Sequence, residues 1–151
     1  MKIHFDTLNF SRTRITELIE NLTSEQLNKI PNGLNTSIIW NVGHILVTQQ
    51  LFMYKRTGLP LTMKMEMIEK FKSGTKANNT VSKEDIAYLK SILFITIEGV
   101  KNDYNSDRLK KFESFTTKRG VEINSIESAI AFHTFHEGVH LGWIWTMKNL
   151  V

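Results

Sequence analysis

Proline is almost absent from this chain, so long helices can form along most of its length. The 151 residues contain two prolines, Pro31 and Pro60. Proline inside a helix removes a backbone hydrogen bond and clashes with the preceding turn. Few stretches alternate apolar and polar residues as a half-buried strand does, whereas apolar residues recur widely at helical spacing. The pattern predicts an all-α fold.

Four segments of the sequence carry this helical spacing. They run from Phe5 to Leu22, from Ser37 to Gly58, from Ser82 to Asn105, and from Asn124–Ser125 nearly to Val151. The second segment ends in a glycine with Pro60 just beyond, which is an ordinary helix stop. The third has Asp85 three residues after its opening serine, and Thr23 with Gln26 forms a capping-box pattern after the first helix.

Two long connections, residues 58–81 and 105–123, separate the predicted helices. The first contains LTMKMEMIEKF, which predicts a short extra helix, and the second contains FESFTTKRGVEI, which is compatible with a small hairpin. Long crossovers are typical of four-helix bundles that are not simple up-down-up-down arrays. Since no repeat or linker divides the chain, we expect residues 1–151 to form one domain, an antiparallel four-helix bundle with little or no sheet.

Composition excludes several classes of protein. The chain has no cysteine, which rules out disulfides, thiolate metal ligands and a cysteine nucleophile. The longest apolar runs, such as residues 92–95, are too short to cross a bilayer. The N-terminus lacks the apolar block of a signal peptide. We therefore expect a cytoplasmic protein that does not associate with membranes.

The charge of the chain gives no sign of nucleic-acid binding. The net charge is +4 at pH 7, from 19 basic and 15 acidic residues scattered along the sequence. The densest basic stretch contains Arg108, Lys110, Lys111, Lys118 and Arg119. No aromatic interleaving or binding module accompanies it, so we interpret it as a solvated loop.

The fourth helical segment contains His136, Glu137 and His140 in the order His-Glu-x-x-His. On a helix this pattern is typical of zinc peptidases, with two histidine ligands and a glutamate base. At helical spacing the histidines lie on a core-facing stripe. The stripe consists of Ile126, Ala129, His133, His136, His140, Ile144 and Met147. A single buried histidine is usually satisfied by hydrogen bonds, but three on one stripe favour a metal site.

A peptidase of this type needs a further ligand downstream, and the sequence provides none. The residues of the extended motif are absent, and no acidic residue follows Glu137. The third ligand must therefore come from upstream. There His44, within the second helix, is a better candidate than His4 at the N-terminus. We expect His133 to lie beside the site without binding the metal.

The stretches SIIWNVGHI and HEGVHLG resemble the DinB/YfiT-like superfamily of metal-dependent four-helix bundles, and the resemblance covers essentially the whole chain. Members have one histidine in the second helix and a His-x-x-x-His pair in the fourth. The resemblance thus implies that His44, His136 and His140 bind a divalent metal, often zinc or nickel. Gly142 matches a glycine of the superfamily, while Trp143 stands where glutamine is common.

The resemblance also implies a chemistry. Characterised members include thiol-dependent enzymes, among them bacillithiol S-transferases and mycothiol-dependent isomerases. We therefore expect a metal-dependent S-transferase that joins a low-molecular-weight thiol to a small electrophile. One alternative is a non-catalytic metal-binding protein of stress response or interaction. A weaker alternative is a metal-dependent hydrolase, since a bound cation activates water as well as a thiol.

Three further side chains are candidates for the site. Glu137 lies at the edge of the histidine stripe, where it could act as a catalytic base on bound thiol or water, or orient a ligand. A simple surface carboxylate is an equally good interpretation. Trp40 and Phe132 are candidates for pocket walls, although an aromatic side chain near a bundle core more often only packs.

The fourth helix also carries apolar or small residues on the face opposite the histidines, which we call its back. That face carries Ala131, Phe135, Gly138, Gly142 and Trp145. Either the protein's own long connections or a second copy of the chain can cover it. We expect a symmetric homodimer, which is the commonest soluble assembly and is also what the resemblance implies.

Overall fold

The computed structural model describes residues 1–77 and 80–151, which form four long helices joined by shorter elements. The helices are α1 (Lys2–Ile19), α2 (Ser24–Asn28), α3 (Ile38–Gln49), α4 (Met65–Phe71), α5 (Lys83–Asn105) and α6 (Ile126–Lys148). A π-helical turn (Gln50–Tyr54) and a 3-10 turn (Lys55–Thr57) continue α3, and β1 (Phe115–Thr116) pairs with β2 (Glu122–Ile123) in antiparallel fashion. The all-α prediction is confirmed, and the two strands form the small hairpin.

Most helix ends follow the capping signals of the sequence. The hydroxyl groups of Ser37, Ser82 and Ser125 each accept a hydrogen bond from a backbone N–H of the first turn of α3, α5 and α6. Thr23 and Gln26 form the expected capping box, which opens α2. The first helix begins at Lys2 and ends at Ile19, whereas the sequence predicted a helix from Phe5 to Leu22. α4 is the short extra helix predicted in the first connection.

The prediction of an antiparallel bundle is wrong for two pairs of neighbouring helices. Phe5 of α1 packs in one cluster with Ile126 of α6, while Leu18 packs in the other cluster with Met147, so α1 and α6 run in the same direction. α3 and α5 are also parallel, because Gln49 bonds to the Thr96 carbonyl and Tyr54 to the Asp103 carboxylate. The four long helices therefore run up, down, down and up.

The parallel pair α3 and α5 explains the first long connection. A chain that leaves the end of one helix and enters a parallel neighbour must travel back along the bundle first. α4 lies on this return path and packs against α3. None of the helices in residues 1–77 and 80–151 is long and apolar enough to cross a membrane.

The core consists of two apolar clusters with a polar level between them. One cluster contains Ile15, Ile39, Leu46 and Ile144, and the other contains Leu8, Met53, Ile97 and Ile130. Between them lie the fully buried side chains of Arg12, Gln49, His133 and Glu137. The two charged members of this level, Arg12 and Glu137, are paired with each other, as buried charges must be.

A buried ion pair between Arg12 and Glu137 connects three helices at this polar level. Arg12 Nε and Nη2 donate to the two carboxylate oxygens of Glu137 at 2.7 and 2.8 Å, and Nη1 donates to the Leu93 carbonyl oxygen at 3.2 Å. Burial alone would raise the pKa of the Glu137 carboxyl, but the Arg12 guanidinium and His133 lower it to about 2. The carboxylate is therefore charged at neutral pH.

We predict that Arg12→Met lowers the free energy of unfolding by about 3–5 kcal/mol, because it leaves the Glu137 carboxylate buried without a counter-charge. Urea unfolding of the metal-free protein measures this change. The double variant Arg12→Met/Glu137→Leu should be clearly more stable than Arg12→Met alone. Lys101→Met, which breaks an exposed pair with Glu98, is the control and should cost under about 1 kcal/mol. Equal losses in the two single variants would contradict the prediction.

Candidate metal centre

Three histidine side chains meet between α3 and α6. One potential ligand nitrogen from each of His44, His136 and His140 lies within 4.8 Å of the other two. His136 and His140 are one turn apart on α6, and their ring centroids are 4.5 Å apart. The antiparallel packing of α3 brings the ring of His44 to 5.2 and 5.0 Å from theirs. The three residues that the sequence predicted as ligands are thus brought together.

Two of the three imidazoles are oriented by hydrogen bonds at Nδ1. His44 Nδ1 lies 2.7 Å from the Phe71 carbonyl oxygen at the end of α4, and His140 Nδ1 lies 2.7 Å from Asn41 Oδ1. The Asn41 amide donates from Nδ2 to the Ser37 carbonyl oxygen, which fixes its oxygen towards His140. Both histidines therefore carry the proton on Nδ1 and have the lone pair on Nε2, as metal-ligating histidines usually do. The Thr48 hydroxyl lies 3.4 Å from the Nε2 atom of His44.

His136 has no hydrogen-bond partner within the described residues, and its Nδ1 is buried. A buried ring nitrogen without a partner is unusual in a protein interior. A cation bound at the point where the three rings meet would give the His136 ring a partner at one of its two nitrogens. Three imidazoles also suit zinc and nickel, which accept nitrogen ligands. The residues of the cluster thus fit a divalent transition metal.

The environment keeps these imidazoles neutral, which is the protonation state that metal ligation requires. Burial, together with repulsion from the neighbouring histidines, lowers the pKa of His136 to about 2. The same causes lower the pKa of His140 to about 4. The pKa of His44 is lowered by burial, against the opposing effect of its bond to Phe71.

Gly43 allows the Phe71 carbonyl to reach His44. A Cβ atom at Gly43 would overlap the Phe71 ring, so the ring packs directly against the α3 backbone. Trp40 stacks on the His44 ring at 4.7 Å, with the two planes 11° apart. Sequence reasoning did not find Asn41 or Phe71. The position of Asn41, a polar residue three positions before His44 in an apolar helix, could have indicated a role beside the histidines. The role of Phe71 could not be found in this way, because it depends on a backbone carbonyl, which every residue has.

The structure places the other predicted site residues outside the cluster. His133 is fully buried, and its Nε2 lies 3.3 Å from Glu137 Oε2 without hydrogen-bond alignment. His133 therefore stands beside the three histidines and not among them. Glu137 is not the surface carboxylate that was one interpretation, since it is fully buried. Arg12 holds both of its oxygens, which leaves no geometric support for a catalytic base. His4 is partly exposed near the start of α1.

A cavity of about 310 Å³ opens beside the cluster. His44 and His136 line its inner end, and its walls are mostly apolar. The other lining residues are Thr48, Leu51, Phe52, Ser73, Phe115, Thr116, Thr117, Lys118, Arg119 and Phe132. The prediction that Phe132 lines a pocket is confirmed. Trp40 and Trp143 instead line a second cavity, of about 340 Å³, on the side of His140.

Comparison with known protein families identifies the family of this chain. A sequence profile of the DinB superfamily matches residues 7–144. The chain belongs to the DinB superfamily. The matched region contains all four long helices for most of their length and all three histidines of the cluster. No curated protein matches the chain. Within this DinB-superfamily fold, Trp143, which stands in place of the expected glutamine, lines the second cavity together with His140 of the three-histidine cluster.

We predict that Gly43→Ala weakens metal binding by about 10–100-fold, the usual cost of losing a residue that orients a ligand. The new methyl group displaces the Phe71 ring, and with it the carbonyl oxygen that orients His44. Competition with a chromogenic chelator measures the affinity. Adding Phe71→Ala should restore much of it, because the methyl group then occupies the space of the ring.

Gly99→Ala is the matched control for this experiment. It adds the same methyl group to a helix, and the nearest contact there, Tyr54 Oη at 3.4 Å, is an ordinary one. Its metal affinity should equal that of the unchanged protein. A folded Gly43→Ala protein with full affinity would show that Phe71 does not position His44.

Proposed function

We propose that this protein is a metal-dependent S-transferase, in which His44, His136 and His140 hold a divalent zinc or nickel ion. The proposed reaction joins a low-molecular-weight thiol to a small electrophile. The observation that carries the proposal is the cavity, because two of the three histidines line its inner end. A small molecule in this cavity would meet the metal centre directly.

The number of ligands supports a catalytic centre over a structural one. Structural zinc sites are normally closed by four protein ligands, whereas catalytic sites have three and an open position. Among residues 1–77 and 80–151, the group that could hold an ion has three members. His133, the nearest further histidine, packs against Glu137 instead. This arrangement favours an enzyme over a non-catalytic metal-binding protein.

The chemistry needs one activated nucleophile and one electrophile. A divalent cation held by His44, His136 and His140 would lower the pKa of a thiol or water that reaches it and so favour the nucleophilic anion. The thiol proton leaves to solvent, a sulfur–carbon bond forms, and the bond from that carbon to its leaving group breaks. Phe52 and Phe132 provide apolar walls that exclude water around the reactants. The Thr48 hydroxyl, 3.4 Å from His44 Nε2, is placed to hydrogen-bond a reactant.

We predict that protein loaded with zinc or nickel accelerates conjugation of small thiols to an aryl halide, and that His140→Ala reduces the rate to background. The His140 variant loses one of three ligands, so elemental analysis should find far less than stoichiometric metal in it. Both proteins must be purified without a histidine tag. His4→Ala removes a histidine outside the cluster and should retain both metal and activity.

The same samples distinguish the alternatives. Hydrolysis of a panel of esters, without any thiol-dependent turnover, would favour a hydrolase. Metal-replete protein with neither activity would favour the non-catalytic protein and overturn the proposal. Full activity of a His140→Ala protein that contains no metal would also overturn it.

We further propose that the protein forms a symmetric homodimer through α1 and α6. Phe135 and Trp145 of α6 are 66% and 51% exposed, so the described connections do not cover the back of this helix. Phe10 of α1 is 63% exposed, and Arg14, one turn on, stacks over the Trp145 ring. Both α1 and α6 thus present exposed apolar side chains, and Arg14 and Trp145 connect the two helices on this side. Faces of this kind usually mark an interface.

We predict that light scattering at micromolar concentration gives twice the chain mass of 17.5 kDa. Phe135→Lys should shift the protein to a monomer, because a buried lysine would lose its hydration at the interface. Ile95→Lys on α5 is the control, since Ile95 is also 66% exposed but lies on another helix. A monomeric unchanged protein would contradict the proposed dimer.

A further inference from the structure

The second long connection brings two basic side chains to the cavity beside the three histidines. Lys118 and Arg119 both line that cavity, together with His44 and His136. The sequence alone led us to interpret these two residues as part of a solvated loop. They are exposed, but the fold places them at a particular site.

The position of the hairpin is fixed by contacts with the two turns that continue α3. The Phe115 ring packs edge-on against Phe52 at 4.9 Å, and the Arg56 guanidinium lies 4.4 Å from the centre of the Phe115 ring. The Glu113 N–H also donates to the Arg56 carbonyl oxygen at 2.7 Å. The hairpin is therefore attached to the helix that carries His44.

The turn of the hairpin reaches across the cavity. A backbone hydrogen bond from Gly120 to Thr117 closes this turn, and Gly120 has the positive φ of 85° that the turn needs. Lys118 Nζ lies 3.5 Å from Ser73 Oγ, just beyond the end of α4. Ser73 lines the cavity as well. The two long connections thus meet at its mouth through Lys118.

The charges at this mouth are not neutralised by the protein. Arg108 and Lys110, earlier in the same connection, form ion pairs with Asp103 and Asp107. Within residues 1–77 and 80–151, neither Lys118 nor Arg119 has a carboxylate in ion-pair range, and no carboxylate lines the cavity. Positive side chains without a carboxylate partner at the rim of an apolar cavity favour an anionic ligand.

We infer that Lys118 and Arg119 bind a carboxylate group of the substrate whose reacting end lies at His44 and His136. The inference rests on the proposed function for the reacting end, and it narrows the substrate to a small amphipathic carboxylate. The apolar middle of that molecule packs between Phe52, Phe115 and Phe132. The carboxylate belongs either to the thiol or to the electrophile, and the two sources share this chemistry.

Two matched pairs of probes test the inference by calorimetry. The first pair is ω-mercaptohexanoate and ω-mercaptohexanol, and the second is ω-chlorohexanoate and ω-chlorohexanol. The unchanged, metal-loaded protein should bind at least one carboxylate more tightly than its matched alcohol. The preference should weaken at high salt, because exposed charges are screened. The pair with the larger preference identifies which reactant carries the carboxylate.

The variant Lys118→Gln/Arg119→Gln should bind the preferred carboxylate roughly 3–10-fold more weakly, as expected for two exposed charge contacts. Its affinity for the alcohol should not change. Lys111→Gln/Lys148→Gln is the control, because it removes the same charge from two exposed lysines that do not line the cavity. Thermal melting should show that both variants are as stable as the unchanged protein.

The inference is wrong if neither carboxylate is preferred, if neither probe pair binds, or if the control variant loses as much affinity as the hairpin variant. These outcomes do not depend on turnover. A preference that disappears in the hairpin variant, in a protein without S-transferase activity, would support the carboxylate site and count against the proposed reaction. Turnover without any carboxylate preference would support the proposed reaction and count against the carboxylate site.

Discussion

The buried ion pair between Arg12 and Glu137 constrains the rest of this bundle. Two charges taken out of water are stable only when each satisfies the other, so α1 and α6 must meet at these two residues. That contact holds the two helices side by side, and the bond from Arg12 to Leu93 adds α5. The apolar contacts on either side of the ion pair, with Phe5 packed near Ile126 and Leu18 near Met147, make α1 and α6 parallel. His136 directly precedes Glu137, so the same contact fixes the rotation of α6 that turns His136 and His140 towards α3.

The direction of the helices in turn explains why the connections are long and what they contribute. Because α3 and α5 are parallel, the chain must return along the bundle between them, and α4 lies on that path. The return brings the Phe71 carbonyl to His44 at 2.7 Å. The second connection does not need to return along the bundle, because Tyr104 at the end of α5 already lies beside Glu127 at the start of α6. This connection is free to form the hairpin over the cavity.

The sequence predicted those features that depend on local spacing. The pair His136 and His140 is one helical turn apart, so their common face follows from helix geometry alone. The serine caps are equally local. The parallel direction of α1 and α6 could not be predicted, because it depends on contacts between residues far apart in the chain, such as Arg12 and Glu137, which are separated by 125 positions. The hydrogen bond from His44 to the Phe71 carbonyl could not be predicted either. It depends on where the backbone of α4 lies and on the space that Gly43 leaves for the Phe71 ring.

The long helices and the connections therefore contribute different parts of the site. Long helices hold the three histidines, and packed helices are rigid enough to fix the geometry of metal ligands. The connections provide the outer wall of the cavity, with Ser73 from the first and Lys118 from the second. Connections tolerate change far better than packed helices do. A bundle of this design can thus keep its three-histidine cluster unchanged while substitutions in the hairpin alter the wall of the cavity beside the cluster.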